Sequence, residues 1–264
     1  MAQTSKTKTR IPLGRFVWYE LLTSDPAAAI PFYTKLIDWS TSTWEGTEQP
    51  YTMWMNGETP IGGLMQLPED AVKAGAPPHW LAYVSTPNVD DTAKKVSSLG
   101  GVVHHVMEIP TVGKIAILAD PQGAIFAGYT PAGDMPGGEG PPEKGQFSWH
   151  ELMTSDHTAA FDFYHKLFGW EKTEAMDMGE AGIYQMYGLP GTAIPLGGMF
   201  NTPAEVQAPP HWLLYTMVDN VDARAEQVKK MGGTILNGPM EVPGGDRIVQ
   251  CMDPQGAAFA LHSK

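Results

Sequence analysis

Residues 16–39 read FVWYELLTSDPAAAIPFYTKLIDW and residues 147–170 read FSWHELMTSDHTAAFDFYHKLFGW, with fourteen of the 24 positions identical. The match continues downstream: APPHWL stands at 76–81 and again at 208–213, DPQGA at 120–124 and again at 253–257. The spacing between partners drifts only from 131 to 133 residues. The halves are therefore collinear, and the chain is an internal duplication. Between the copies, 131–146 reads PAGDMPGGEGPPEKGQ. Pro and Gly dominate it and no apolar periodicity survives, the mark of a linker. The expected division is a first domain at 11–130 and a second at 147–264.

Each copy has a fainter rhythm of its own. A strand at 17–22 precedes Asp25-Pro26, an N-cap followed by proline at the first helical position. Ala29, Phe32, Tyr33, Leu36 and Ile37 then recur at helical spacing. Strand-like runs follow at 40–44, 51–55 and 61–67, separated by Gly, Pro and Asn. The pattern restarts with a strand at 80–86, a helix capped by Asn88 and stopped by Gly100-Gly101, and strands at 102–109, 114–119 and 124–129. The order is βαβββ–βαβββ, twice, an α+β chain of four modules.

Composition narrows the function. Of 264 residues, 42% are hydrophobic and 17% charged, with a formal net charge of −12. That acidity argues against nucleic acid and anionic membranes as partners, since phosphate binding needs clustered Lys and Arg. The single cysteine, Cys251, can form neither an internal disulfide nor a paired-thiol metal site, and its apolar neighbours make it a packed thiol. No apolar run approaches the ~20 residues that span a bilayer. Residues 1–10 are polar and basic without the apolar stretch of a secretory signal, so a cytoplasmic protein is expected. Gly137 to Gly140 lack the Lys-Ser/Thr of a phosphate-binding loop and count as linker.

The helix motif Asp25…Phe32-Tyr33…Leu36 with Asp120-Pro121-Gln122-Gly123, and its partner Asp156…Phe163-Tyr164…Leu167 with Asp253-Pro254-Gln255-Gly256, resembles the vicinal oxygen chelate superfamily of glyoxalases, bleomycin-resistance proteins and extradiol dioxygenases. Each motif alone is weak, but in order and duplicated they cover nearly the whole chain. The resemblance is greatest to two-domain, glyoxalase-like members. It implies tandem domains in which paired modules curl into a U-shaped mixed sheet around a cavity. It also implies that metal-dependent members hold a divalent ion there through His, Glu or Gln on inward-facing strands. Counting from the motifs places those positions at Trp18, Leu81 and Ala127, and at Trp149, Leu213 and Ala260. None can ligate a divalent ion, whereas catalytic sites typically use three protein ligands, so no metal is expected.

Side chains alternate along a strand, so residues two away from each lost ligand share its face. These are Glu20, His79 and Tyr129 in the first copy and Glu151, His211 and His262 in the second. If the last strand ran antiparallel to the one carrying His211, Glu151, His211 and His262 would converge as a displaced site for one Zn, Fe, Mn or Ni ion. The primary expectation is instead a metal-free cavity in each half. There Trp18 or Trp149 stacks against a small, partly aromatic ligand that Glu20 or Glu151 orients. The resemblance supplies a precedent, since bleomycin-resistance members sequester their ligand without chemistry. The alternative is a metal-dependent lyase, isomerase or dioxygenase with Glu151 as catalytic base. Tyr19 and His150 have the opposite parity and belong to the helix layer. The halves could pair with each other within a monomer or across a homodimer.

Overall fold

The computed structural model describes residues 12–46, 50–133, 140–192, 194–204 and 206–264; the basic N-terminal segment and residues 134–139 of the expected linker lie outside them. In the first half, β1 (Phe16–Thr23), α1 (Pro26–Ile37), β2 (Ser40–Trp44), β3 (Tyr51–Asn56) and β4 (Thr59–Gln66) form one module. A short helix α2 (Glu69–Lys73) leads to β5 (His79–Ser85), α3 (Val89–Ser98), β6 (Val102–Ile109), β7 (Gly113–Ala119) and β8 (Ile125–Pro131). The second half repeats this as β9 (Phe147–Thr154), α4 (His157–Phe168), β10 (Glu171–Asp177), β11 (Ile183–Gly188) and β12 (Pro195–Asn201). It finishes with β13 (His211–Met217), α5 (Val221–Lys230), β14 (Thr234–Glu241), β15 (Arg247–Met252) and β16 (Ala258–Ser263).

Each half is one eight-stranded mixed sheet, ordered β2-β3-β4-β1-β5-β8-β7-β6 and β10-β11-β12-β9-β13-β16-β15-β14. The two modules meet where β1 pairs antiparallel with β5, and β9 with β13. The expected caps are in place. The Asp25 carboxylate accepts from the Ala28 amide and Asn88 from Asp90 and Asp91, each satisfying helix-end donors. Helix α2 was not among the expected elements.

The motifs that revealed the duplication tie the halves together. Trp80 Nε1–H donates to the Tyr33 hydroxyl (3.1 Å), which donates to Asp253 Oδ2 of the other half (2.9 Å). The mirror chain runs from Trp212 to Tyr164 (3.2 Å) to Asp120 Oδ2 (3.1 Å). The other oxygen of each aspartate gathers backbone amides of its own turn, those of Gln122, Gly123 and Ala124 or of Gln255 and Ala257. Helix α1 thus packs Phe32 and Tyr33 against Phe259 of β16, and α4 packs Phe163 and Tyr164 against Phe126 of β8. Each half's first helix completes the apolar core of the other half.

Tyr19 and His150 occupy equivalent repeat positions and meet at this seam. The Tyr19 hydroxyl lies 2.7 Å from His150 Nε2, and His150 Nδ1 lies 2.8 Å from the Leu196 carbonyl. Burial pushes the imidazole down to about 4. The ring is therefore neutral, with Nδ1–H donating to Leu196 and Nε2 accepting from Tyr19. Both residues face the helix layer, as their parity requires.

Candidate functional site

With one face of each sheet sealed by helices, chemistry is left to the other. Strand alternation puts Trp18 and Glu20 on that open face, with Tyr19 and Leu21 turned into the core. Pairing across the first sheet sets Trp18 opposite Tyr83, Tyr83 opposite Ala127 and Ala127 opposite Ile117, one row across four strands. The second sheet lines up Trp149, Tyr215, Ala260 and Gln250 in the same way. Leu81 and Leu213, the positions counted from the sequence on β5 and β13, are not directly in these rows. They sit one step along, opposite Glu20 and Glu151, and the row positions belong to Tyr83 and Tyr215.

Each open face carries a short hydrogen-bonded chain. Trp18 Nε1–H donates to the Tyr51 hydroxyl (3.1 Å), which donates to Glu20 Oε2 (2.7 Å). Its counterpart runs from Trp149 to Tyr184 (2.7 Å) to Glu151 Oε2 (2.9 Å). Glycine makes both possible. A Cβ on Gly63 or Gly198 would collide with the ring end of Tyr51 or Tyr184, which lies across the glycine to reach its carboxyl. Both glutamates are buried, at 3% and 6% exposure. That burial pushes each carboxyl up to about 7, against hydrogen bonds from Tyr51, or from Tyr184 and Tyr215, that pull the other way. The indoles of Trp18 and Trp149 are only half-buried.

Beyond this chain the two faces differ. Glu151 Oε1 accepts from the Tyr215 hydroxyl (3.0 Å) and from Gln250 Nε2 (3.0 Å), and Gln250 also donates to Tyr215 (2.7 Å). In the first half Ile117 replaces Gln250, Tyr83 makes no such bond, and Glu20 Oε1 is buried with no partner among the described residues. Its surroundings are apolar, with Leu22, Ile115, Ile117, Ile125 and Met107 packed around Leu81 and Tyr83.

The remaining expected site residues lie apart from the carboxyls. His79 and His211 stand at one end of their sheets, each Nδ1 2.8 Å from the carbonyl of Pro77 or Pro209. Tyr129 donates to the Val112 carbonyl (2.9 Å). His262 lies between Ser148 Oγ (3.0 Å) and Asp246 Oδ2 (2.8 Å). The displaced site Glu151–His211–His262 is not assembled. It needed β16 antiparallel to β13, and the two are parallel. Moving forward along β16 carries His262 beside Met217, whereas His211 pairs with Met153. Six residues of strand separate the two imidazoles, about 20 Å at ~3.3 Å per residue. Among the described residues no three His, Cys, Asp or Glu side chains are grouped to hold a metal. The rows where the superfamily would place ligands offer indole, phenol, methyl and either amide or sec-butyl groups, so the donor set does not fit a divalent ion.

Tyr51 and Tyr184, Tyr83 and Tyr215, and Gln250 were missed from sequence. The four tyrosines fall at equivalent positions of the repeat, a signal open to detection; Gln250, matched by Ile117, leaves none.

The family model described as the Glyoxalase/Bleomycin resistance protein/Dioxygenase superfamily matches this chain twice, at residues 15–127 and 146–261. CFP32 of Mycobacterium bovis, provisionally named a glyoxylase, is 31% identical over 248 residues, covering 92% of each chain. An anthracycline biosynthesis protein of Streptomyces peucetius is 29% identical over 265 residues, covering 96% of this chain and 94% of its own. Among solved structures, the Mn(II)-bound glyoxalase from Novosphingobium aromaticivorans superposes with a TM-score of 0.61 at 17% identity, covering 96% of this chain and 82% of that one. Homoprotocatechuate 2,3-dioxygenase from Brevibacterium fuscum, in its substrate complex, gives 0.66 at 15% identity, covering 99% and 84%. No helix among the described residues is long and apolar enough to cross a membrane.

Proposed function

This chain belongs to the glyoxalase/bleomycin resistance/dioxygenase superfamily, and on that footing we propose that it binds a small, partly aromatic molecule on its open sheet faces without a metal. The observation that carries this reading is the Trp–Tyr–Glu chain, built identically in both halves where metal ligands would stand. A half-buried indole offers a flat stacking surface. The carboxyl beside it, surrounded by apolar side chains, fixes the orientation of one polar group, the usual anatomy of a small-ligand site. A relative named for anthracycline biosynthesis is in keeping with a flat aromatic ligand.

The test is fluorescence quenching by 1-naphthol, a hydroxyanthraquinone and cyclohexanol, in the parent protein and in Trp18→Phe and Trp149→Phe. Saturable quenching by the two aromatics, diminished in at least one of the Phe variants, is expected; quenching by none of the probes would end the reading. In parallel, protein purified without a His-tag and exposed to Zn²⁺, Fe²⁺, Mn²⁺ and Ni²⁺ should carry none of them through gel filtration. Stoichiometric retention, measured by mass spectrometry, would overturn the metal-free part.

A second reading is favoured by the carboxyls at about 7, which suit proton transfer near neutral pH. Glu151 or Glu20 would take a proton from a carbon beside a carbonyl, as in a lyase or isomerase. Turnover of a ketone that is abolished in a Gln variant while 1-naphthol still binds would establish it.

A further inference from the structure

The two open faces are built alike up to the second oxygen of the glutamate, and there they part. Glu151 Oε1 is held by Tyr215 and Gln250. Glu20 Oε1 is as deeply buried and has no partner. An unpaired buried carboxylate oxygen loses its hydration with nothing in return, so this site is incomplete as it stands. The position from which Gln250 reaches its carboxyl is Ile117 in the first half, and Tyr83, the counterpart of Tyr215, leaves Oε1 without a bond. The cluster on this face comprises the indole of Trp18, Tyr83, Leu22, Ile115 and Ile117.

From this we infer that the N-terminal face alone is the working site, and that it takes a flat aromatic molecule presenting a hydroxyl or amine hydrogen to Glu20 Oε1, while Tyr215 and Gln250 together keep the C-terminal face closed to such a ligand. The inference rests on the small-molecule reading above and narrows it to one half and one ligand polarity. Oε2 already accepts from Tyr51, so the ligand's donor meets Oε1, its ring covers Trp18, and its apolar rim meets the isoleucines. The hydrogen-bond donor sets polarity. Above pH 7, where Glu20 is ionised and the comparison is made, a ligand with only an acceptor, a methyl ether for instance, would face the carboxylate oxygen with a lone pair and be rejected. The second half keeps the same indole and carboxyl, but Tyr215 and Gln250 already supply the donors that the ligand would bring.

The probes are 1-naphthol and 1-methoxynaphthalene, titrated calorimetrically into the full chain. One molecule of 1-naphthol per chain is expected, with the ether bound at least ten-fold more weakly. In Glu20→Gln the amide oxygen remains with Tyr51 and the NH2 takes the place of Oε1. The preference should then invert, 1-naphthol losing ten- to a hundred-fold and the ether gaining, which a merely structural role for Glu20 would not produce. Removing both donors of Glu151 Oε1 together, Tyr215→Phe with Gln250→Ile, should open a second site and raise the stoichiometry to two; Ile117→Gln should close the first. Two molecules per chain in the parent, or 1-naphthol affinity that survives in Glu20→Gln, would overturn the inference while leaving small-molecule binding intact. Absence of binding by any aromatic probe would instead defeat the broader reading.

Discussion

The seam between the halves and the two open faces have the same origin, one duplicated sequence, and have diverged to different degrees. At the seam the Trp–Tyr–Asp chain is kept in both directions, with bonds of 3.1 and 2.9 Å on one side and 3.2 and 3.1 Å on the other. On the open faces the Trp–Tyr–Glu chain is also kept, but the next contact is lost: Gln250 faces Glu151, and Ile117 faces Glu20. Each half needs the other's first helix to finish its core, so neither copy of a seam motif can change alone. An open face carries no such obligation. One copy can close while the other serves a ligand.

The largest expected effect tests the symmetry of the seam. Asp120→Ala and Asp253→Ala each strand a buried tyrosine hydroxyl and several turn amides, at roughly 1–3 kcal/mol per unsatisfied group. Each should destabilise the chain by about 3–4 kcal/mol in urea denaturation, and by similar amounts. A silent variant on either side would show that the halves are unequal at the seam as well.

Next comes pH. The folded carboxyls of Glu20 and Glu151 stand at about 7 against an ordinary 4.5. A raised carboxyl favours the protonated folded state, so its stabilising share is full below the unfolded value and disappears as pH rises through the folded one. Stability should fall between pH 4.5 and 7, by roughly 3 kcal/mol at most for each group at ~1.4 kcal/mol per pH unit. Glu20→Gln and Glu151→Gln should flatten that fall in thermal melts taken across the range. Unchanged slopes would mean that the carboxyls are not buried as described.

Gly63→Ala and Gly198→Ala should each cost about 1–3 kcal/mol, as overpacking generally does, and should displace Tyr51 or Tyr184 from its carboxyl. Only the Gly63 change should weaken 1-naphthol binding; equal losses in calorimetry would restore equivalence to the two faces. The smallest effect belongs to His79→Ala and His211→Ala. Each removes one bond to a proline carbonyl at a strand end and should shift stability by under about 1 kcal/mol. A large loss in either would give these imidazoles a role that their contacts do not suggest.

The order of elements was legible because the duplication showed each signal twice: Asp25 and Asp156 both cap helices, and both PPHWL runs enter strands. Helix α2, at five residues, is shorter than any periodicity can register. Parity was legible too, and correctly set Trp18 and Glu20 against Tyr19. Register and direction were not, because they are fixed by pairing between distant strands rather than by local sequence. Thus only the pairing shows that Tyr83 stands opposite Trp18 and Leu81 opposite Glu20, and the parallel run of β16 beside β13 sends His262 away from His211. The contrast at Ile117 and Gln250 is plain in the sequence, but it acquires meaning only once both are seen beside a glutamate.

The most direct measurement is a carboxyl-¹³C NMR titration of glutamate-labelled protein, assigned with the two Gln variants, with and without 1-naphthol. Two glutamates should titrate near pH 7 in the free protein. The ligand should shift the Glu20 signal and lower its midpoint, because its donor favours the charged form, and should leave Glu151 unmoved. Midpoints in the ordinary carboxylate range, or a ligand response at Glu151 equal to that at Glu20, would contradict the account.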